Sequence, residues 1–385
     1  MKVGVYLETR YLKKKNLLFC EDIYTLLLNE ISSHFDFQFI GRLGTEDSLK
    51  SSYLIQQYNH FFELNSYSNL FALFLKLPFY WLRNKKTIQD FIKKSDVLLV
   101  MTPSPISLII LKYAIRYEKK HCLLIRQNTR EMIPMRYSGI YKTMARFIAN
   151  YLETFVENFA NKNNSHVLTL GPDIKKRYAH LSNNVREFVS SRYHINDIID
   201  ESKLRPLNIE ERVRLLFVGR IEVNKGINEL LSALKNTNID YELSIVGDGQ
   251  YMSNTKQLIK EYNLSNKIHL HGYIPYGPQL LDIYRSHDIF ILPSYSEGLP
   301  QVVLEAMASG CLVLATNVGS IPSIINDGIN GFIFKPKSVT ALNNLFNQLR
   351  DTKSNYNEVR KNAIETSRRY AFENQSKVLI DTLKQ

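Results

Sequence analysis

Two cations near the start of the second half of the chain are spaced to neutralise a diphosphate. Gly219-Arg220 follows the apolar segment 214–218, and Lys225-Gly226 comes five positions after the arginine. An arginine guanidinium makes forked contacts with phosphate oxygens, and a lysine ammonium adds a compact charge beside it. The alternative is a pair of solvated surface cations, which this segment alone does not rule out.

A second group of residues surrounds the start of a predicted helix. Glu297 precedes Gly298 and Leu299, and Pro300 suits a first helical turn. The free amides of a helix N-terminus and its dipole form a site for an anion. Glu305 lies about two turns further along, so both carboxylates can accept hydrogen bonds from sugar hydroxyls. The alternative is two glutamates on the surface of a helix.

Two further turns follow predicted strands. The first is Gly247-Asp248-Gly249, where the backbone can approach a ligand closely because glycine has no side chain. The second contains Tyr273-Ile274, whose backbone groups are placed to meet a nucleobase. Either turn alone is a weak signal, since many α/β proteins turn this way.

The elements that must position these residues alternate between short apolar strands and helices, which predicts an α/β fold with parallel sheets. The predicted strands are 2–7, 35–40, 97–101, 122–126, 167–170, 214–218, 241–246, 267–271, 289–292, 313–315 and 331–334. The predicted helices include 21–33, 143–161, 228–234, 253–261, 280–286 and 300–308. A polar stretch at 189–211 separates two Rossmann-like domains, 1–195 and 207–365, with a ligand cleft expected between them.

Composition restricts the class of protein. A chain of 385 residues with 44% hydrophobic and 22% charged residues is typical of a two-domain globular protein. The three cysteines are too few and too scattered for a disulfide framework or a metal site. The N-terminal apolar run is too short for a signal peptide, and Pro or Lys interrupts the longer apolar stretches. We therefore expect a cytoplasmic protein without a transmembrane helix.

The positive charge is concentrated in the first half. Residues 1–200 contain 28 Lys and Arg against 18 Asp and Glu, whereas the remainder contains 21 against 19. This asymmetry indicates a polyanionic partner. The three candidates are a nucleic acid, an anionic membrane surface and a phosphorylated acceptor. Composition alone does not choose among them.

The order of the motifs over about 214–335 resembles the donor domain of the family-four retaining GT-B glycosyltransferases (glycosyl transferases group 1). The resemblance implies a GT-B architecture, in which two Rossmann-like domains face an interdomain cleft. It implies that Arg220 and Lys225 hold the donor diphosphate and that Glu297 meets the transferred sugar. Glu305 would bind the ribose, and the last helix, 366–385, would pack back on the first domain. Neither a cofactor nor a metal is expected.

The function implied by the resemblance is sugar transfer with retention from a nucleotide diphosphate donor, with a UDP-sugar favoured. The acceptor would be a glycan or a lipid-linked oligosaccharide in bacterial surface polysaccharide biosynthesis, such as that of capsule or lipopolysaccharide. The alternatives are a sugar-nucleotide epimerase, a phosphorylase and a non-catalytic GT-B scaffold. No motif supports a nucleic-acid binder.

The chain departs from the family pattern on the acceptor side. The loop at 8–16 lacks the usual glycine pair, Ser323 replaces an acidic residue, and Arg126-Gln127-Asn128 stands where many relatives have a histidine. Arg126, Asn128 and Arg130 are predicted to face the acceptor. The aromatic and cationic stretch 70–83 fits either a membrane interface or a core helix, so a peripheral position on the inner membrane face is one expectation.

Overall fold

The structure is a computed structural model. It describes residues 1–15, 17–20, 22–44, 53–67, 73, 76–126, 128–132, 137–181, 184–189, 191–351 and 355–385. The chain divides into two compact units, of which the first is Met1–Ser190 with Gln375–Gln385 and the second is Ser191–Asn374. The sequence predicts that the first domain ends at residue 195, that the second domain spans 207–365, and that the last helix begins at 366.

The first unit is built on one sheet with helices between its strands. Its described strands are β1 (Lys2–Lys14), β2 (Leu17–Cys20), β3 (Asp36–Leu43), β4 (Tyr53–Leu54), β5 (His60–Leu64), β6 (Val97–Thr102), β7 (Lys120–Ile125), β8 (His166–Leu170) and β9 (Val185–Phe188). Its described helices are α1 (Asp22–His34), α2 (Leu77–Lys93), α3 (Pro105–Arg116), α4 (Thr129–Met132), α5 (Gly139–Lys162) and α6 (Pro172–Tyr178). The parallel strands lie in the order β5-β3-β1-β6-β7-β8-β9, and β2 and β4 add an antiparallel ribbon to the far end of β1.

The apolar stretch after residue 96 is a strand followed by a helix, as the sequence predicts. Every residue of β6 is buried, because a parallel strand is covered on both faces. The helix α3 begins at Pro105 because Ser104 and Ser107 form a capping box, in which each hydroxyl accepts a hydrogen bond from the other residue's backbone amide. Across the described ranges, every helix is too short or too polar to cross a membrane.

The second unit has the same strand order as a Rossmann domain. Its strands are β10 (Val213–Val218), β11 (Tyr241–Val246), β12 (Ile268–Gly272), β13 (Ile289–Leu292), β14 (Leu312–Thr316) and β15 (Phe332–Phe334). Its helices are α7 (Ile227–Lys235), α8 (Met252–Glu261), α9 (Pro278–Ser286), α10 (Gln301–Ala308), α11 (Ile321–Ile324), α12 (Val339–Asp351) and α13 (Tyr356–Arg369). The strands are all parallel, in the order β12-β11-β10-β13-β14-β15. The prediction of two parallel-sheet Rossmann-like units is confirmed.

The last helix, α14 (Phe372–Lys384), belongs to both units. Its first turn stays with the second unit, since the amide of Phe372 donates to the carbonyl of Tyr193 at 2.9 Å. Further along, Leu379 and Leu383 are buried in a core cluster of the first unit. The return to the first unit therefore takes place within this helix.

Arg360 ties α13 to two loops of the second unit. It is buried, and its guanidinium donates to the carbonyls of Gly310 and Arg205, both at 2.6 Å. Burial lowers the pKa of Arg360, although the group stays charged at neutral pH. We expect Arg360→Met to lower the free energy of unfolding by about 2–4 kcal/mol, because two carbonyls lose their donor.

Urea denaturation followed by circular dichroism measures this change. The matched control is Lys361→Met, on the exposed face of the same helix, which should change the unfolding free energy by less than ~0.5 kcal/mol. Equal effects of the two substitutions would show that the buried guanidinium contributes no specific stability.

Candidate active site

The predicted motifs of the second unit gather at one edge of its sheet. Gly219-Arg220 follows β10, Gly247 follows β11, Tyr273 follows β12 and Glu297 comes five residues after β13. All these strands are parallel, so their carboxyl ends meet at the same edge. The strand order reverses between β10 and β13, and open α/β sheets bind ligands at this point.

Glycine residues allow the loop after β10 and the loop after β11 to cross with their backbones in direct contact. Gly247 has φ +141°, and a methyl group on it would overlap the carbonyl oxygen of Gly219. Its amide donates to the carbonyl of Gly272 at 2.7 Å. Gly249 lies in the same way against the backbone of Ile221. In this structure these glycines serve the packing of one loop on another, and their contact with a donor stays a prediction.

Lys225 and Glu297 form a pair at the centre of this edge. The Nζ of Lys225 lies 2.6 Å from Oε1 of Glu297, and the two side chains are only 13% and 10% exposed. Lys225 ends a short 3-10 turn, Val223–Lys225, which Gly226 terminates with φ +70°. The loop of Glu297 is held to this turn, since the amide of Tyr295 donates to the carbonyl of Asn224 at 2.8 Å. A cation and a carboxylate thus share one largely buried position.

Arg220 occupies a different environment from Lys225. Its guanidinium donates to Glu222 at 2.9 Å, and the side chain is 65% exposed. Asp248 and Tyr273 are also exposed, and Ile274 is half-buried. The structure therefore places Arg220 at the rim of the edge, where solvent or an anion can reach it.

The helix α10 begins one residue later than the sequence predicts. Pro300 is its N-cap, with extended φ −77° and ψ 106°, so the first helical residue is Gln301. The prediction that Pro300 lies in the first turn is therefore wrong by one position. The segment of Gly298 and Leu299 precedes the helix, and Gly319 (φ +54°) packs directly against the carbonyl of Glu297. The start of α10 is thus fixed against the turn after β14.

Glu305 lies beneath the edge rather than on its surface. The residue is 1% exposed, and its Oε2 accepts a hydrogen bond from the hydroxyl of Tyr284 at 3.1 Å. Burial first, and then the charge of Glu305, raise the pKa of Tyr284, which keeps this donor protonated. Contact between Glu305 and a ribose stays a prediction, and it requires the covering side chains to move.

The residues predicted to face the acceptor lie in the first unit. Arg130 donates to Glu157 at 3.0 Å and lies 3.3 Å from Glu153, which also pairs with Arg177. The positive charge of Arg130 is therefore balanced by carboxylates of the same unit. Arg126 lies 5.5 Å from the ring centre of Tyr24, and Asn128 is placed just before α4. An acceptor role of these residues stays a prediction.

A carboxylate that sequence analysis missed lies where the strand order of the first sheet reverses, between β1 and β6. Glu8 accepts hydrogen bonds from the hydroxyls of Tyr6 and Tyr67 and lies 3.1 Å from Arg42. Burial and the charge of Glu8 raise the pKa of both tyrosines, so both donate at neutral pH. The available signal was an acidic residue directly after the predicted strand 2–7, but the structure extends β1 through this position to Lys14, and Arg42 and Tyr67 are distant in sequence.

The part of the chain that the structure describes contains no group of three His, Cys, Asp or Glu placed to hold a metal ion. Metal independence remains a prediction, since catalysis also depends on what substrates bring to the site.

Comparison with known proteins identifies the family of the second unit. Residues 199–368 match the family model described as glycosyl transferases group 1. The putative teichuronic acid biosynthesis glycosyltransferase TuaC of Bacillus subtilis is 35% identical over 154 residues, which are 40% of this chain and 37% of that protein. Protein CapJ of Staphylococcus aureus is 27% identical over 67% of this chain and 63% of its own. The matched segments span less than two thirds of these relatives.

Solved structures extend the likeness to the whole fold. Anabaena HepE in complex with UDP covers 100% of both chains with a TM-score of 0.67, at 15% sequence identity. A structure of the same protein with UDP-glucose has a TM-score of 0.63. The family model confirms the resemblance over residues 199–368, and the solved structures show that the whole chain has a similar fold.

Proposed function

We propose that this chain, whose residues 199–368 are a domain of the glycosyl transferases group 1 family, transfers a sugar from a nucleotide diphosphate donor to a glycan or a lipid-linked acceptor with retention of configuration. The pairing of Lys225 with Glu297 at the reversal of strand order is the observation that carries the proposal. A UDP-sugar is the favoured donor, because the fold is similar to that of HepE, which was solved with UDP and with UDP-glucose.

The proposed chemistry needs a positive site for a leaving diphosphate. Lys225 at the centre and Arg220 at the rim supply two cations, and the free amides at the start of α10 supply further donors. The acceptor hydroxyl attacks the anomeric carbon on the face that the diphosphate leaves. The new carbon–oxygen bond forms as the old one breaks, and the hydroxyl proton passes to the departing phosphate oxygen.

Preorganised positive charge is the main source of rate enhancement in this scheme, because negative charge grows on the leaving phosphate in the transition state. Glu297 accepts hydrogen bonds from the sugar hydroxyls and is not assigned as a nucleophile. Its ion pair keeps the carboxylate in one position before the donor arrives, which reduces the ordering that binding requires.

The proposed setting is bacterial surface polysaccharide synthesis at the cytoplasmic face of a membrane. The name of TuaC, a teichuronic acid biosynthesis glycosyltransferase, supports this setting for a protein similar to this chain. An epimerase or phosphorylase with the same fold would produce a different product, and a scaffold would produce none.

Calorimetry and donor hydrolysis with UDP-, GDP- and ADP-sugars test the proposal. We expect one donor to bind and to be hydrolysed slowly in the absence of acceptor. Proton NMR of the glycoside formed with an added acceptor then reads the anomeric configuration. Absence of binding of every donor at millimolar concentration would refute transfer and favour a scaffold, whereas an inverted product would refute retention alone.

The ribose contact of Glu305 gives a separate prediction. If this carboxylate binds a ribose hydroxyl, Glu305→Gln should weaken UDP binding about tenfold, a change of ~1.4 kcal/mol. The comparison ligand is 2′,3′-dideoxy-UDP, which lacks both ribose hydroxyls, and its affinity should be nearly the same for the two proteins. Equal losses for both ligands, measured by calorimetry, would show that the substitution acts only through the packing around Tyr284.

A further inference from the structure

A cavity of about 480 Å³ lies between α2 and α3 in the first unit. The side chains of α2 that line it are Leu77, Pro78 and Trp81. Small-molecule sites in proteins have volumes of about 300–1,000 Å³, so this cavity is large enough for a ligand. We call it the α2–α3 cavity. It is a separate feature from the candidate active site, which is built from residues of the second unit.

The wall formed by α3 carries both apolar and cationic side chains. Its lining residues are Ile109, Lys112, Tyr113 and Arg116. Their spacing puts all four within about 100° of the circumference of the helix, so the two cations share one side with the two apolar residues. Ile109 and Tyr113 are buried, whereas Lys112 and Arg116 are exposed. The cations therefore lie where the cavity meets solvent, next to an apolar interior.

A hydrogen bond connects the two walls of the cavity. The Nε1 of Trp81 donates to the hydroxyl of Tyr113 at 3.0 Å. The indole N–H is thereby satisfied within the protein, and the ring offers apolar surface to a ligand. Lys85, one turn after Trp81, lies with its Nζ 5.1 Å from the centre of that ring. A third cation thus stands beside the cavity on the α2 side.

The two cations that line the cavity are not neutralised by the protein. In the described part of the chain, neither Lys112 nor Arg116 forms an ion pair, and no described lining residue is Asp or Glu. Like charges one helical turn apart repel each other, and an anion between them removes this repulsion. A phosphate monoester carries about two negative charges at neutral pH, and arginine makes forked contacts with phosphate oxygens.

The same lining disfavours other classes of ligand. Its described residues include no carboxylate and no side-chain amide, which are the groups that accept hydrogen bonds from sugar hydroxyls. A glycan therefore finds few partners in this cavity. Inorganic phosphate would leave the apolar interior in contact with water, and a neutral hydrocarbon would leave the cations unpaired. An anionic amphiphile uses both parts of the lining.

We propose that the α2–α3 cavity binds one molecule of a lipid whose headgroup is a phosphate monoester. The hydrocarbon chain lies against Leu77, Trp81 and Ile109, and the phosphate lies between Lys112 and Arg116. Such a lipid reaches the cavity either as a free monomer or from a bilayer, and the experiment separates these sources. The inference goes beyond the proposed sugar transfer and does not depend on it.

The stretch 70–83, for which the sequence left a membrane interface and a core helix open, supplies the α2 wall. Residues 70–72 and 74–75 lie outside those described. From residue 77 onward the stretch belongs to α2, in which Tyr80 is buried and Phe79 is 71% exposed. This part is therefore a helix that packs on the core along one side, and its contact with a membrane stays a prediction.

The fluorescence of Trp81 tests the proposal directly, because the chain contains one tryptophan. The full chain is titrated with octyl phosphate below its micelle concentration. We expect a saturable change in the emission of Trp81. From butyl to octyl phosphate, the affinity should increase by up to about fourfold for each added methylene group. Inorganic phosphate and octyltrimethylammonium, at the same concentrations, should leave the emission unchanged.

Two double variants test the position of the phosphate. Lys112→Gln with Arg116→Gln should weaken the binding of octyl phosphate about tenfold or more. The matched control is Arg83→Gln with Lys86→Gln, two exposed cations that lie about 140–160° around α2 from Trp81. It removes the same charge on a side of the helix that solvent screens from the cavity, so the affinity should change less than about twofold.

Four results would overturn the proposal. The first is no response of Trp81 to octyl phosphate, and the second is an equal loss of affinity in the two double variants. The third is equal binding of octyltrimethylammonium. The fourth is a response to vesicles that contain phosphatidic acid without any response to the monomer, which would mean a bilayer contact and not a site for one molecule.

Donor hydrolysis without acceptor keeps this test apart from the proposed transfer reaction. Hydrolysis and the circular dichroism melt should stay at the wild-type level in both double variants, because all four substituted side chains are exposed. A wild-type chain that binds octyl phosphate and hydrolyses no donor would contradict the transferase function while leaving the lipid site intact.

Discussion

Arg220→Ala is expected to lower donor hydrolysis by about 10²–10³-fold, because it removes one of the cations that face the leaving diphosphate. The loss should fall mainly on turnover, since the negative charge on the phosphate is greatest in the transition state. Steady-state measurement of released nucleoside diphosphate gives turnover and KM separately. Calorimetry with the diphosphate alone gives the ground-state contribution.

A second arginine in the same unit makes this test specific. Arg212 is 64% exposed and pairs with Asp240 at 3.2 Å, which closely matches the 65% exposure of Arg220 and its pairing with Glu222. Isolated surface pairs of this kind contribute little to stability. Arg212→Ala should therefore leave hydrolysis unchanged. If the two variants behave alike, Arg220 is a solvated surface cation and the proposed phosphate site is wrong.

Gly247→Ala is expected to destabilise the second unit by more than about 4 kcal/mol, because the new methyl group would overlap the carbonyl oxygen of Gly219. Gly219 and Gly247 directly follow the paired parallel strands β10 and β11, and the amide of Gly219 donates to the carbonyl of Val246 at 3.0 Å, so the two backbones cannot separate without breaking this pairing. Thermal and urea denaturation, together with the yield of soluble protein, measure the effect.

Gly272→Ala separates crowding from backbone strain. Gly272 has φ +70°, and nothing lies within 4 Å of the position of an added methyl group. An L-residue in this conformation costs about 1 kcal/mol. A loss of only that size at Gly247 would mean that the crossing of the two loops relaxes, and the loops of the candidate site would then be less rigid than the contact implies.

The fold could be predicted from the sequence where strands are buried on both faces. Tyr241–Val246 and Ile289–Leu292 were predicted with the bounds that the structure gives, because parallel strands appear as continuous apolar runs. The prediction failed at the edges of the first sheet. There β4 is two exposed residues long and β5 is interrupted by polar side chains, so neither has an apolar run.

The candidate site could be predicted only as separate segments. Motif order identified Arg220, Lys225 and Glu297, but the 2.6 Å contact between the last two joins residues 72 positions apart. It depends on β10 lying beside β13, which local periodicity does not determine. The burial of Glu305 under Tyr284 was missed for the same reason, since helical spacing says how residues are arranged on α10 and not what covers them.

The shared helix α14 fixes the order in which the molecule can be completed during translation. Residues 375–385 leave the ribosome after all of the second unit, yet Leu379 and Leu383 fill a core cluster that contains Phe188 of the first. Gln375 also accepts the amide of Val189 at 2.7 Å. Part of the core of the first unit therefore stays exposed while the 184 residues of Ser191–Asn374 are synthesised. The first unit can complete its folding only after the whole second unit has been synthesised.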